Sequence, residues 1–281
     1  RGPMGDDLVY QSLKWVNRTL TVYSQGVGFR LYNYDLRDME SRALPAVAMF
    51  GAQCGKKAAT FNERSASYLL ANGQDATKVT APKGGALFRR LHPIGGNSNS
   101  TFDTLFEGLD FNMQTLSAIR AYARGIDDGS GDKEAPTAKA FVVVPENYQL
   151  RMTQYTNAET LADQISGIAN AASNTYYKGQ YGYDEPIVTP YLDEPGDWYV
   201  VIPGWTVGEE APLNRMELDG WALTEFTSAN QLSLAQSESM ESRHTARIGF
   251  AGGNPKRIFK IRKAGNAADN ATRFKDILAK L

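Results

Sequence analysis

The chain has 281 residues, of which 42% are hydrophobic and 22% are charged, and its formal net charge is -1. This length is enough to bury a large core without disulfides, and the near-zero charge excludes a whole-protein attraction to nucleic acid or acidic lipid. Cys54 is the single cysteine and His92 and His244 are the two histidines, so an internal disulfide is excluded and histidine chemistry has few candidates. No apolar run reaches the roughly 18 residues that span a bilayer, so we expect no membrane partner.

The N-terminal third predicts a helix, an extended arm and a long loop. Between Asp6 and Leu20, apolar residues recur at spacings of three and four after two acidic residues, which is typical of an amphipathic helix. Gly26 and Gly28 interrupt the next stretch, which we interpret as an extended arm with short strands. Residues 55–99 are polar and glycine-rich around brief apolar pieces, which predicts a long excursion in the form of a hairpin. Such loops are uncommon in compact domains, so this one indicates a partner.

The segment that follows predicts the longest helix of the protein. Ser100 and Asp103 stand at the spacing of a capping box, and an apolar stripe continues from there to Ala123. Two arginines and Gly125 then give a helix stop. The glycine and charge cluster of residues 125–136 predicts a flexible loop or a boundary.

The middle of the chain predicts a strand, a second helix and a hairpin. The run "KAFVVVP" is short and rich in β-branched residues, and ends at Pro145, which predicts a buried strand. Thr156 and Glu159 form a second capping box, and helical spacing continues to Tyr176. In "PIVTPYLDEPGDWYVVIP" two apolar runs flank an acidic turn, which predicts two paired strands.

The C-terminal part predicts two more paired strands and a short helix. The runs "RHTARIGFAG" and "KRIFKIRK" flank a Gly-Asn-Pro turn. Asn270 stands where it would cap a closing helix, whose apolar stripe consists of Phe274, Ile277, Leu278 and Leu281. The pattern leaves open whether this stripe packs internally or on a neighbour.

Residue types associated with chemistry occur without the motifs that would make them a site. Gly26 and Gly28 lack the third glycine of a dinucleotide loop and the lysine of a Walker loop, so we interpret them as a turn. The two histidines have no nucleophile elbow nearby in sequence, and Cys54 is interpreted as structural although two lysines follow it. Adjacent acids lie in predicted turns, where solvent keeps both ionised, at Asp127 with Asp128, Asp193 with Glu194, and Glu209 with Glu210.

Basic residues form two clusters that allow alternative interpretations. The first is Arg89 with Arg90, and the second comprises Lys256, Arg257, Lys260, Arg262 and Lys263. The second cluster alternates with isoleucines, so it could present one charged strand face to phosphates. A solvated strand, or salt bridges between subunits, would explain it equally well.

The order of these parts resembles the major capsid proteins of tailed bacteriophages, which have the Hong Kong 97-type fold. In that family a proline-containing strand is followed by an aspartate-tryptophan pair and an apolar strand, and later by a returning strand. The residues in this arrangement are Val188, Pro190, Tyr191, Leu192, Asp197 and Trp198, then Arg243 or Arg247 with Gly249 and Phe250. The identifiable motifs cover about residues 140–262.

The resemblance implies an α+β chain with an N-terminal arm, an extended loop, a peripheral domain built on a long spine helix, and an axial domain. The implied boundaries are 1–42 for the arm, 43–99 for the extended loop, 100–138 for the spine helix and its loop, 139–235 for mainly the axial domain, and 236–281 for the peripheral return strands and C-terminal helix. Covalent cross-links are not implied, because no lysine and asparagine pair stands in a cross-linking arrangement.

The resemblance further implies a non-catalytic shell subunit without a cofactor. Its partners would be copies of itself in pentamers and hexamers, other virion proteins such as portal, scaffold or decoration protein, and double-stranded DNA held non-specifically. It would be located in the virion and assembled in the bacterial host cytoplasm. The opening residues RGPMG fit either a protease-cut end or a family member with separate scaffolding. The candidate subunit contacts are Arg89, Arg90, Trp198, Phe274, Ile277, Leu278 and Leu281.

Two alternatives remain open at this point. An encapsulin-like cargo compartment shares the implied fold. A carboxylate-dependent hydrolase or sugar-binding protein would use Asp193, Glu194, Trp198 and Trp205, and predicts a monomer with a concave aromatic pocket.

Overall fold

A computed structural model describes residues 22–32, 46–82, 84–95, 98–127, 133–150, 160–162, 171–173, 183–204, 211–226 and 239–281. In chain order the elements are β1 Tyr23–Tyr32, α1 Ala46–Asn72, β2 His92–Gly95, β3 Ser98–Phe102, β4 Leu105–Phe106, α2 Met113–Ala123, β5 Phe141–Pro145, β6 Thr160–Ala162, β7 Ala171–Ser173, β8 Ile187–Thr189, β9 Asp197–Val201, β10 Leu213–Phe226, β11 Ser239–Gly252, β12 Ile258–Arg262 and α3 Thr272–Leu278.

A five-stranded mixed sheet with the order β4-β12-β9-β5-β8 forms the centre of the molecule. Strand β9 runs antiparallel to both β12 and β5, whereas β4 and β8 pair in parallel at the two edges. The central strands β5, β9 and β12 are almost continuously buried. Such runs are typical of strands that are covered on both faces.

The two faces of this sheet are covered by different parts of the chain. On one face α2 and α3 contribute to a core that includes Phe106, Leu116, Trp198, Phe259 and Phe274. A second core, built on Leu69, Leu70, Val79, Leu87, Phe88, Tyr199 and Ile258, joins the C-terminal end of α1 and the segment after it to the sheet. All three helices therefore pack on the central sheet, where they bury the apolar side chains of its two faces.

A second sheet, with the order β1-β11-β10, consists of long antiparallel strands. Helix α1 packs beside it through Phe61, whose ring lies 5.7 Å from Trp221 and 5.9 Å from Phe250, both in edge-on geometry. Further along, Ser67 of α1 lies 3.4 Å from the Thr189 hydroxyl of the central sheet. Helix α1 thus connects the two sheets.

Helix α1 contradicts the prediction of a loop or hairpin that starts at residue 55. It continues for 27 residues and is the longest helix of the described chain. Gly51 and Gly55 weakened the sequence signal, since glycine is a poor helix former. A Cβ added at either glycine would contact nothing within 4 Å, so both lie on an open side of the helix. Tertiary packing of the C-terminal half, through Leu69 and Leu70, stabilises α1 despite these glycines.

The helix predicted from Ser100 begins later and is shorter than expected. Residues 98–102 form β3, and α2 has 11 residues with Asn112 as its N-cap, whose side-chain oxygen accepts from the Thr115 N–H at 2.8 Å. Asp103 does not take part in a capping box, because its carboxylate accepts from the Leu91 N–H at 2.8 Å. The prediction of the longest helix here was therefore wrong.

The predicted strands exist, but their predicted pairings were wrong. Strands β8 and β9 flank the acidic turn as expected, yet β5 lies between them in the sheet. Likewise β11 and β12 belong to different sheets instead of forming a hairpin. A short connection favours pairing between strands that are consecutive in sequence. For a strand that is covered on both faces, packing against the two cores decides which strand is its partner.

Two predicted helices lie partly or wholly outside the described residues. The N-terminal one, residues 6–20, is entirely outside. Within the predicted helix of residues 156–178, β6 and β7 pair antiparallel, with Leu161 opposite Ala172. One helix cannot contain both strands, so this prediction was wrong for those six residues.

The closing helix is confirmed as α3, although Asn270 does not cap it. The N-cap is Ala271, without a side-chain hydrogen bond. The Asn270 amide instead accepts from the Glu107 N–H and donates to the Glu107 carbonyl, both at 2.9 Å. This pair of bonds ties α3 to the end of β4. No helix within the described ranges is long and apolar enough to cross a membrane.

A buried ion pair lies within the central sheet. Lys260 of β12 and Asp197 of β9 are 2.7 Å apart, and their side chains are only 3% and 5% exposed. Lys260 also donates to the Gln74 side chain at 2.9 Å, beyond the end of α1, and Arg262 donates to Asp197 at 3.2 Å. Two charges are tolerated here because each has a partner and additional hydrogen bonds.

We expect Asp197→Ala to lower the free energy of unfolding by about 3–5 kcal/mol, because it leaves the Lys260 ammonium buried without its counter-ion. Urea denaturation measures this loss. The matched control is Asp110→Ala, which removes the pair with Lys263 at 3.0 Å, where both side chains are more than half exposed. That control should cost less than about 1 kcal/mol. Equal losses would contradict a structural role for the buried pair.

His92 lies at the start of β2 with both ring nitrogens engaged. Nδ1 accepts from the Arg89 Nε–H at 3.3 Å, and Nε2 lies 3.0 Å from the Thr104 hydroxyl and 3.1 Å from the Leu87 carbonyl. The ring also stacks on Phe102, with centroids 5.1 Å apart. Burial first, and the neighbouring Arg89 charge second, lower the pKa of His92 to about 4.

Acidification should therefore destabilise the fold through His92. The unfolded chain binds this proton near pH 6.5, while the folded protein resists it down to about pH 4. The contribution is complete above pH 6.5 and is lost as the pH falls toward 4, with a total of about 3 kcal/mol. Denaturation at several pH values, for wild type and His92→Gln, measures the difference. Parallel pH profiles of the two proteins would contradict this origin.

Candidate assembly surfaces

The second basic cluster forms ion pairs within the chain. Each of its five side chains lies within 3.5 Å of a carboxylate of the same chain. These pairs are Lys256 and Arg257 with Glu134, Lys260 and Arg262 with Asp197, and Lys263 with Asp110. The interpretation of a strand face that presents free charge to phosphates is therefore wrong, and the alternation in sequence reflects internal pairing.

The residues of the hydrolase hypothesis do not converge. Asp193 and Glu194 are exposed, whereas Trp198 is fully buried and meets Phe111 edge-on, with ring centroids 4.9 Å apart. Trp205 lies outside the described residues. A core tryptophan cannot line an open aromatic pocket with those acids, so the arrangement does not form a sugar-binding site.

The other chemical candidates occupy structural positions. Gly26 and Gly28 lie inside β1, so they form neither a phosphate loop nor the predicted turn. Cys54 is buried on α1, and desolvation raises the pKa of its thiol, with Lys57 opposing that shift. His244 lies in β11, with its ring 5.2 Å from Trp221. No cluster of three potential metal-ligating side chains occurs in the portion of the chain that the structure describes.

Of the acidic pairs, Asp127 is half-buried near the end of α2, and Asp128 lies outside the described residues together with Glu209 and Glu210. Two neighbouring carboxyl groups can act as acid and base only if their pKa values differ, which requires that one of the two groups is buried. Asp193 and Glu194 are both solvent-exposed, which agrees with the predicted solvated turn.

The predicted subunit contacts separate into core and surface residues. Trp198 and Phe274 are completely buried in the chain's own core, and Ile277 and Leu278 pack against that core from α3. Leu281 remains 58% exposed. The stripe of α3 thus packs internally except for its last member, and a subunit contact at Leu281 stays a prediction.

Arg89 and Arg90 belong to a turn that presents Leu91 to solvent. Arg90 forms ion pairs with Glu107 and, at 3.4 Å, with Asp269. Leu91 is 68% exposed, and its φ of +57° lies in the left-handed region that a leucine rarely adopts. The turn is held by hydrogen bonds and ion pairs on either side of this exposed apolar residue, which stabilise its unusual backbone conformation.

A cavity of about 1380 Å³ opens between α1, β11 and the residues that follow β8. Tyr23, Tyr68 and Tyr191 contribute to its lining, together with Arg64 and Asp193. The Arg64 guanidinium lies 5.6 Å from the centre of the Tyr191 ring. Tyrosine and arginine are enriched at protein contacts, whereas aspartate is depleted.

Comparison with known proteins identifies the fold. No family model and no curated protein sequence matches the chain. Among solved structures, the capsid of the cyanophage P-SCSP1u is 8% identical, with 93% of this chain and 81% of that chain covered at a TM-score of 0.54. The mature capsid of bacteriophage PhiM1 is 14% identical over 93% and 77% of the two chains, with a TM-score of 0.51. The capsid of an empty GTA particle is 10% identical over 92% and 81%, with a TM-score of 0.52.

The chain therefore has the fold of these phage capsid proteins. The prediction of an α+β, Hong Kong 97-type capsid fold is confirmed, although identities this low show the fold alone.

We expect Leu91→Asn to leave the free energy of unfolding unchanged or to raise it by up to about 1 kcal/mol, since asparagine tolerates the left-handed conformation better than leucine. Leu150→Asn is the matched control, because Leu150 is also exposed but has no positive φ. It should change the free energy by less than about 0.5 kcal/mol. A loss above about 1 kcal/mol at Leu91 would show that its side chain supports the folded monomer.

Proposed function

We propose that this chain is the major capsid protein of a tailed bacteriophage, and that copies of it assemble into an icosahedral shell around double-stranded DNA. The observation that carries the proposal is the structural match to phage capsids over 93% of the chain. On this proposal the protein is a non-catalytic virion component, assembled in the bacterial host cytoplasm.

The charge distribution supports a shell role. The net charge is -1, so many copies can approach one another without strong repulsion. Because Arg257 and Lys260 of the second basic cluster are buried in ion pairs, DNA contacts would be made mainly by other side chains, and we expect them to be non-specific. Pentamers and hexamers of the chain would be the building blocks, with portal, scaffold or decoration proteins as partners.

The structure also suggests a revised assignment of the domains. The boundaries implied by resemblance placed the spine helix within residues 100–138, but α2 is short and packs on the central sheet. We assign the spine of the peripheral domain to α1, which has 27 residues and lies against β11. The five-stranded sheet with α2 and α3 then corresponds to the axial domain.

Light scattering and negative-stain microscopy of the purified chain, over a range of protein and salt concentrations, test the proposed function. We expect rings or closed particles of megadalton mass. Particles formed in the bacterial host should contain DNA, measured by absorbance and nuclease protection. Protein cargo in place of DNA would favour an encapsulin-like compartment, and a monomer under every condition would overturn the shell proposal.

A further inference from the structure

The sheet edges of this chain differ in how well they could pair with another strand. The central sheet ends in β4 and β8, which have two and three residues. Strand β10 is long, but two register shifts interrupt it between Glu217 and Ala222. Charged side chains at Arg215, Glu217 and Asp219 are exposed along it. Short strands, bulges and charges are the devices by which proteins prevent edge-to-edge pairing.

Strand β1 is long and without a bulge, so it lacks two of these devices, and it carries only one charge. Its ten residues pair with β11 in one uninterrupted register, from Tyr23 opposite Ile248 to Tyr32 opposite Ser239. The opposite edge of β1 has no partner strand among the described elements. At the start of the strand Tyr23 is 62% exposed, so no described residue covers the face of the sheet there. Arg30 is its single charged residue.

We propose that the free edge of β1 pairs antiparallel with β1 of a second copy, so that two three-stranded sheets become one six-stranded sheet across a twofold axis. The proposal rests on the shell function, because it assigns one contact between subunits. The partner is β1 itself because it is the long, regular edge among the described strands, and pairing it with its own copy leaves neither edge open.

Symmetry restricts the register of this contact. A twofold axis perpendicular to the sheet keeps each side chain on its own face, and directly opposed residues also share a face. Two opposed residues must therefore both have odd numbers or both have even numbers. As a result one residue lies directly opposite its own copy, and the axis passes between these two copies. For a strand of residues 23–32 that residue is Val27 or Gly28.

Charge is compatible with either register. With the axis at Val27, Arg30 lies opposite Ser24 of the partner strand, and with the axis at Gly28 it lies opposite Gly26. The two arginines are then separated by six or four positions along the strand, or about 20 or 13 Å. Like charges are destabilising when they are directly opposite, and neither register brings that about.

Single-cysteine cross-linking of assembled full-length protein tests the contact. In Val27→Cys and Gly28→Cys, whichever residue lies on the axis faces its own copy at disulfide distance, so mild oxidation should give at least about ten-fold more covalent dimer than wild type. Ser24→Cys is the matched control, since the two copies of residue 24 lie about 20 Å apart or more in both registers. Cys54 is buried and gives the wild-type background.

Hydrogen exchange of the wild-type chain is a second measurement that needs no variant. In the unassembled subunit about half of the β1 amides point to the free edge and should exchange quickly, and assembly should protect them. Particles that form but show neither dimer nor added protection overturn the β1 contact while the shell function stands. Equal cross-linking at residue 24 also overturns it. A permanent monomer overturns both proposals.

Discussion

Burial of the central sheet on both faces is the constraint on which the rest of the structure depends. Because β5, β9 and β12 are covered on each side, their backbone groups must be satisfied by neighbouring strands, and their side chains must be apolar or paired. Helices α2 and α3 cover one face, and the end of α1 covers the other. The Lys260 and Asp197 pair is a charged exception to this mostly apolar interior, and Gln74 joins that pair to the segment that follows α1.

This interior explains how charge is distributed over the molecule. Side chains that appear in the sequence as a basic strand face form ion pairs with Glu134, Asp197 and Asp110. The surface keeps features of another kind, namely the strained and exposed Leu91, the tyrosine-lined cavity beside α1 and the regular edge of β1. A subunit that is completed by its neighbours would expose such groups, since a lone soluble domain normally protects its strand edges and apolar protrusions.

Local patterns in the sequence were sufficient for some elements and misleading for others. The β-branched run at β5, the strands on either side of the acidic turn and the stripe of α3 each carry their own signal, because periodicity follows directly from burial on one face or two. Helix α1 was missed because Gly51 and Gly55 interrupt its pattern, and the capping box at Ser100 was misleading because Asp103 bonds to Leu91 across the turn. Intrinsic propensity loses to tertiary contact at such places.

The sequence by itself determined that the chain forms a mixed α and β core without disulfides, and the order of its segments was enough to indicate a capsid fold. Only the tertiary structure decided which strands are neighbours, which charges neutralise each other and which predicted contact residues are buried. The physical reason is that strand propensity and amphipathicity are local properties. Strand pairing and ion pairs depend on parts that are far apart along the chain, such as β5 and β9, or Glu134 and Lys256. The exposure of a side chain depends in the same way on which distant segments pack over it.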